Sequence, residues 1–128
     1  MHPGSLSRIL LAALIIWIAG IVVVQLTDHL ILVDGPGLIV GYVITALAGP
    51  LTVWAAALII GCSVRTMAIP TLIIAAVALI ADGFVMGFLP TVYTDPGSIG
   101  LLAPLFLWTF GWACLSAFAL SGFKVGSA

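Results

Sequence analysis

Charge is what this chain has least of: no glutamate, three basic residues and four aspartates in 128 residues, with 5% of the sequence charged. A soluble globular domain carries about a quarter charged residues, so water is excluded as the main solvent. So few basic residues build no face for nucleic acid. Catalytic equipment is missing as well. There is no Ser-His-Asp spacing compatible with the topology, no glycine loop for phosphate, and no second acid within an apolar run. Cys62 and Cys114 lie outside any CxxC or Cys/His cluster and read as free thiols. The chain is expected to be non-enzymatic and to hold no cofactor.

What is present is apolar: 64% of residues are hydrophobic and the mean hydropathy is +1.43. A helix needs roughly 20 predominantly apolar residues to cross a bilayer. Four runs meet that length, at 9–26, 37–62, 67–89 and 99–121. They lack the alternation of barrel strands, so the fold class expected is all-α. It is an integral membrane bundle of four transmembrane helices with short loops, forming a single domain over 1–128. The first run exceeds the 7 to 15 residues usual for a signal sequence and no A-x-A site follows it, so it reads as a retained helix.

Orientation follows from the basic residues. Arg8 precedes span one, Arg65 separates spans two and three, and Lys124 follows span four, which puts all three on one side. The positive-inside rule makes that side, and both termini, cytoplasmic. The opposite side receives "TDHLILVDGPG" and "PTVYTDPGS", with Asp28, Asp34 and Asp95, and both read as turns.

Side-chain size is patterned within the spans. In span three Ala68, Thr71, Ala75, Ala78 and Asp82 form a small or polar stripe opposite Ile73, Val77, Ile80, Phe84 and Phe88. Helices in lipid associate through close backbone approach, so the small stripe should face protein and carry Asp82 inward. Span two repeats the device with Gly37, Gly41, Thr45, Ala48, Thr52 and Ala55, which makes spans two and three the expected core pair. Pro50 is expected to kink span two by freeing the carbonyl of Ala46. Span four offers Thr109, Ala113, Ser116 and Ala117, and span one Ala13, Gly20 and Thr27.

Asp82 is the one chemically expressive residue in the spans. It lies about 22 Å along an ideal helix from Met67, in the outer third of the membrane, where an ionised acid still needs compensation. The candidates at similar depth are Gln25, Thr27, Asp28 and His29 in span one, and Gly41, Tyr42 and Thr45 in span two. A pair of His29 with Asp82 is one possibility; a protonated Asp82 donating to an oxygen is the other. Asp82 reads as a structural tie between helices, as a proton or cation site of a small transporter, or as a contact for a partner chain or pigment. His29 reads as an interfacial residue capped by Asp28, or as an axial ligand to haem, pigment or metal; His2 adds nothing. Tyr42 and Tyr93 are placed at the outer boundary with wet hydroxyls. Trp54, Trp108 and Trp112 are deeper packing residues, and with Phe106 and Phe110 they leave a flat pigment or quinone slot as a lesser alternative.

The stretch "ADGFVMGFLPTVYTDPGSIGLLAPLFLWTFGWA", residues 81–113, resembles an uncharacterised family of small four-helix bacterial membrane proteins. The resemblance rests on an acid-glycine pair late in span three, the "FLPTVY" exit and a glycine-rich turn into span four. It implies a bacterial inner membrane and no known activity. Small multidrug transporters share the length and the four-span plan, but their coupling acid is a glutamate midway along span one. This span one, "ILLAALIIWIAGIVVVQL", carries no acid. Two functions are therefore expected: an accessory or structural subunit packing against itself or a larger membrane complex in the lipid bilayer, or a small transporter coupled through Asp82.

Overall fold

Every residue from Pro3 to Ile31 is helical, and this first helix, α1, is followed by α2 (Pro36–Ile60), α3 (Ala68–Phe88) and α4 (Ile99–Leu120). The computed structural model describes residues 3–33 and 35–122, and among them there is no strand. Four helices are long and apolar enough to cross a membrane, α1 over Leu6–Ile31 and the others over their full lengths. Asp34, Lys124 and His2, which carried parts of the sequence reading, lie outside the described residues.

α1 outruns its expected end at Leu26 because the polar residues after it do not break the helix. The Thr27 hydroxyl donates to the Val23 carbonyl at 2.7 Å. Asp28 then accepts from the His29 amide at 2.7 Å. At 29 residues the helix is roughly 43 Å long, against a hydrocarbon thickness of about 30 Å. Pro50 and Pro104 both lie inside helices that continue through them.

The helices pack in the cyclic order α1, α2, α4, α3, so α2 and α3 stand diagonally across the bundle. This corrects the expected core pairing of spans two and three. Each helix does turn its small face inward, but a stripe of small residues specifies a face and not a partner. Thr71, Ala75, Ala78 and Asp82 are buried, while Ile80 and Phe88 on the opposite face are 75% and 74% exposed. α3 meets α1 and α4, and α2 meets α4 and α1.

α2 crosses α4 closely at Gly49. A Cβ there would sit 2.8 Å from the Ala113 amide nitrogen and 2.9 Å from the Trp112 carbonyl carbon, so only glycine lets the two backbones approach this closely. Gly37 and Gly41 serve the crossing of α2 on α1 at the end away from Arg8: a Cβ at Gly37 would lie 2.5 Å from the Leu30 carbonyl oxygen, and one at Gly41 3.1 Å from the Ile31 Cβ. At the other end α2 closes on Gly61, in the left-handed region at φ 80°, with its amide bonded to Ala57. Arg8 reaches across to donate to the Ile60 carbonyl at 3.2 Å, placing a cation at the negative end of the α2 dipole. Arg8 and the connection that carries Arg65 thus share one end of the bundle.

Core side chains fall into two clusters. Near the Arg8 end Ile9, Ala12, Val53, Ala57, Met67 and Ala117 pack together. Near the other end Val24, Leu32, Val85, Tyr93, Leu102 and Leu105 do. Thr71 is the exception within the core, since its buried hydroxyl has no hydrogen-bond partner among the described residues.

Two predictions follow from packing alone. Gly49→Ala should lower stability by about 1–3 kcal/mol through overpacking, whereas Gly83→Ala, whose Cβ would meet nothing within 4 Å, should leave it unchanged or slightly raised; thermal unfolding in detergent reads both. Thr71→Val should be neutral or stabilising in the same assay, because it removes an unpaired buried hydroxyl.

Candidate functional site

Asp82 is 4% exposed and Tyr93 1%; the two are bonded directly, and the side chain of Trp17 joins both. The Trp17 indole Nε1 donates to Asp82 Oδ1 at 2.8 Å and lies 3.0 Å from the Tyr93 hydroxyl oxygen. The Tyr93 hydroxyl itself donates to Asp82 Oδ1 in a short hydrogen bond. One carboxylate oxygen therefore gathers donors from α1 and from the α3–α4 connection, while the residue belongs to α3. Oδ2 accepts no hydrogen bond from any described residue.

Tyr93 is carried there by the connection. α3 ends at Phe88 and is capped by Leu89, whose amide bonds to the Val85 carbonyl, and the tight turn Pro90–Val92 directs the next side chain back into the bundle. Two further ties hold that turn on α1: Gln25 Nε2 donates to the Val92 carbonyl at 2.6 Å, and Thr94 donates to Asp28 Oδ2 at 2.9 Å. Phe106 closes edge-on against the Tyr93 ring at 5.5 Å. Burial, and then the neighbouring Asp82, hold the Tyr93 phenol well above its ordinary range, so the hydroxyl stays protonated and able to donate.

The compensation expected for Asp82 is therefore supplied by residues other than those proposed from depth. His29 does not pair with it. Its side chain is 69% exposed and its Nδ1 lies 3.6 Å from Asp28 Oδ1. Gln25 binds the α3–α4 connection, and Thr45 donates to the Gly41 carbonyl of its own helix at 2.8 Å. Tyr93 is not an interfacial residue with a wet hydroxyl: it is buried and bonded inward. Tyr42 is half-buried, and its carbonyl accepts from Trp108 Nε1 at 2.9 Å. Trp17 escaped the sequence reading although it stands on the same face of span one as Ala13, Gly20 and Thr27, at helical spacing. That position was the available signal.

Beside this cluster lies a cavity of about 410 Å³, between the two core clusters. Trp17, Gly20 and Thr27 of α1 line it, facing Thr45, Ala48 and Thr52 of α2. Asp82 and Ala78 of α3 and Thr109 of α4 complete the wall. Ala48 and its neighbours, expected to pack helix on helix, thus border an opening. A Cβ at Gly20 would meet nothing within 4 Å, in contrast to Gly37 and Gly41 where α1 and α2 touch. Exposed lining residues Val23 and Leu51 place the mouth between α1 and α2.

No family model, curated protein or solved structure matches the chain. What the site can do is therefore read from its chemistry. Thr27, Thr45, Thr52 and Thr109 all spend their hydroxyls on carbonyls four residues back, at 2.7–2.8 Å, which leaves the wall effectively apolar. The Asp82 carboxylate is the exception. No group of three His, Cys, Asp or Glu side chains able to hold a metal occurs among the described residues.

Tyr93→Phe should destabilise the chain by about 1.5–3 kcal/mol, the range for a hydrogen bond to a charged group, and by less in an Asp82→Asn background, where the acceptor is neutral. His29→Ala should change nothing; denaturant titration of the native chain and the four variants checks the set. In a Tyr42→Phe chain Tyr93 is the sole tyrosine, and its tyrosinate absorbance should appear only above the ordinary phenol midpoint of about pH 10. The stability contributed by its raised pKa is present below that midpoint and is lost as pH rises through the native value.

Proposed function

We propose that the chain is a non-enzymatic, multi-pass protein of the bacterial inner membrane, with both termini cytoplasmic. It serves as an accessory or structural subunit, packing against itself or a larger membrane complex. The observation that carries this reading is the occupation of Asp82 Oδ1 by two donors of the same chain. An acid used in this way joins α1, α3 and the α3–α4 connection, and its cost in an apolar setting is offset by charge-assisted hydrogen bonds. The resemblance of residues 81–113 to small bacterial four-helix proteins supports the setting. Arg8 and Arg65 at one end of the bundle support the orientation.

A second reading, a small transporter coupled through Asp82 to a proton or cation, is favoured by the cavity on whose wall Asp82 lies. Gentle solubilisation of native membranes separates the two. Co-migration with a larger complex, or as a self-oligomer without flux, supports the subunit. Proton-coupled flux that Asp82→Asn abolishes at unchanged melting temperature supports the transporter.

Cys62, exposed on the α2–α3 connection, provides a native probe of orientation. In intact cells a membrane-impermeant maleimide should leave Cys62 unlabelled until the membrane is permeabilised, and should label a Gly97→Cys chain at once. The reverse pattern would turn the topology over.

A further inference from the structure

We propose that the cavity between α1 and α2 is a binding site for an apolar organic monocation, specifically a hydrophobic protonated amine whose N–H donates to Asp82 Oδ2. The inference rests on the membrane setting proposed above, and holds whether the chain works alone or as a subunit. Three observations carry it. At about 410 Å³ the cavity falls within the roughly 300–1,000 Å³ of small-molecule sites, which are mostly apolar with few orienting polar groups. Asp82 is 4% exposed, lines this space, and has one oxygen bonded to Trp17 and Tyr93 while the other accepts nothing from the described residues.

The third observation is that the wall holds no competitor. Among the lining residues there is no Lys, Arg or His to neutralise the carboxylate, and the threonine hydroxyls are engaged within their own helices. Trp17 and Tyr93 fix the carboxylate plane through Oδ1, so a cation arriving at Oδ2 meets an oriented acceptor and completes the charge compensation of a buried acid. The α1–α2 mouth, bordered by Val23 and Leu51, suits a ligand arriving from the surrounding apolar phase.

A matched pair of probes tests this: protonated naphthylmethyl dimethylamine and its uncharged carbon isostere, isobutylnaphthalene. Binding to the purified chain in zwitterionic lipid nanodiscs is read by equilibrium dialysis against empty nanodiscs. The amine should bind the native chain about tenfold or more tightly than the isostere, the scale of a hydrogen bond to a charged group. Asp82→Asn should remove that preference while keeping binding of the isostere. Gly20→Leu, which fills the cavity without touching the Asp82 ties, should weaken both probes and keeps the test decisive if Asp82→Asn fails to fold. Equal affinities for the two probes would mean a lipid-chain groove, and unaltered amine binding in Gly20→Leu would mean another site. Either result, or no amine binding to the native chain, overturns the proposal. The maleimide pattern at Cys62 is independent of ligand, so failure of the membrane setting would be seen separately.

Discussion

A carboxylate in an apolar interior must be supplied with donors by its own chain, and in this bundle that requirement decides how three segments meet. α3 brings Asp82, α1 brings Trp17, and the connection after α3 folds back to bring Tyr93. In a low-dielectric interior each donor is worth more than it would be at a wet surface. The turn at Pro90–Val92, its ties to Gln25 and Asp28, and the edge-on packing of Phe106 on Tyr93 all hold one hydroxyl in place.

The same small-residue stripes produce two opposite outcomes along the helices. At Gly41 against Ile31, and at Gly49, which stands beside the stripe read in span two, against Ala113, the absence of a side chain brings backbones together. Between those crossings, Gly20, Ala48 and Thr52 face one another across a space that neither helix fills. The helices are pinned at both ends, by the Arg8 to Ile60 bond and by the Gly37 and Gly41 crossing. Short side chains in the middle then leave a void rather than a contact. The functional question has the same form: Asp82 ties segments together through one oxygen and also lines the cavity.

Four helices were legible because unbroken apolar length is an unambiguous signal, and the inward direction of Asp82 was legible because its stripe keeps helical period. Helix partners were not legible, since α2 and α3 carry good small faces and yet stand diagonally. Nor was the cavity, because small residues that pack and small residues that leave room look identical in a sequence. Depth counting found residues level with Asp82 along ideal helices. It missed Trp17 and Tyr93 because an indole reaches across several ångströms and the α3–α4 connection re-enters the bundle. His29 was placed near Asp82 by level alone, while its own helix carries it to the outside.

The central claim is that Trp17, Asp82 and Tyr93 form one hydrogen-bonded unit. The chain has four tryptophans, so an indole nitrogen-15 spectrum of the detergent-solubilised protein resolves the claim directly. The account predicts that Tyr93→Phe shifts the Trp17 indole resonance strongly while those of Trp54 and Trp112 stay in place. A Trp17 resonance that does not move, or a spectrum in which all four move alike, would contradict it.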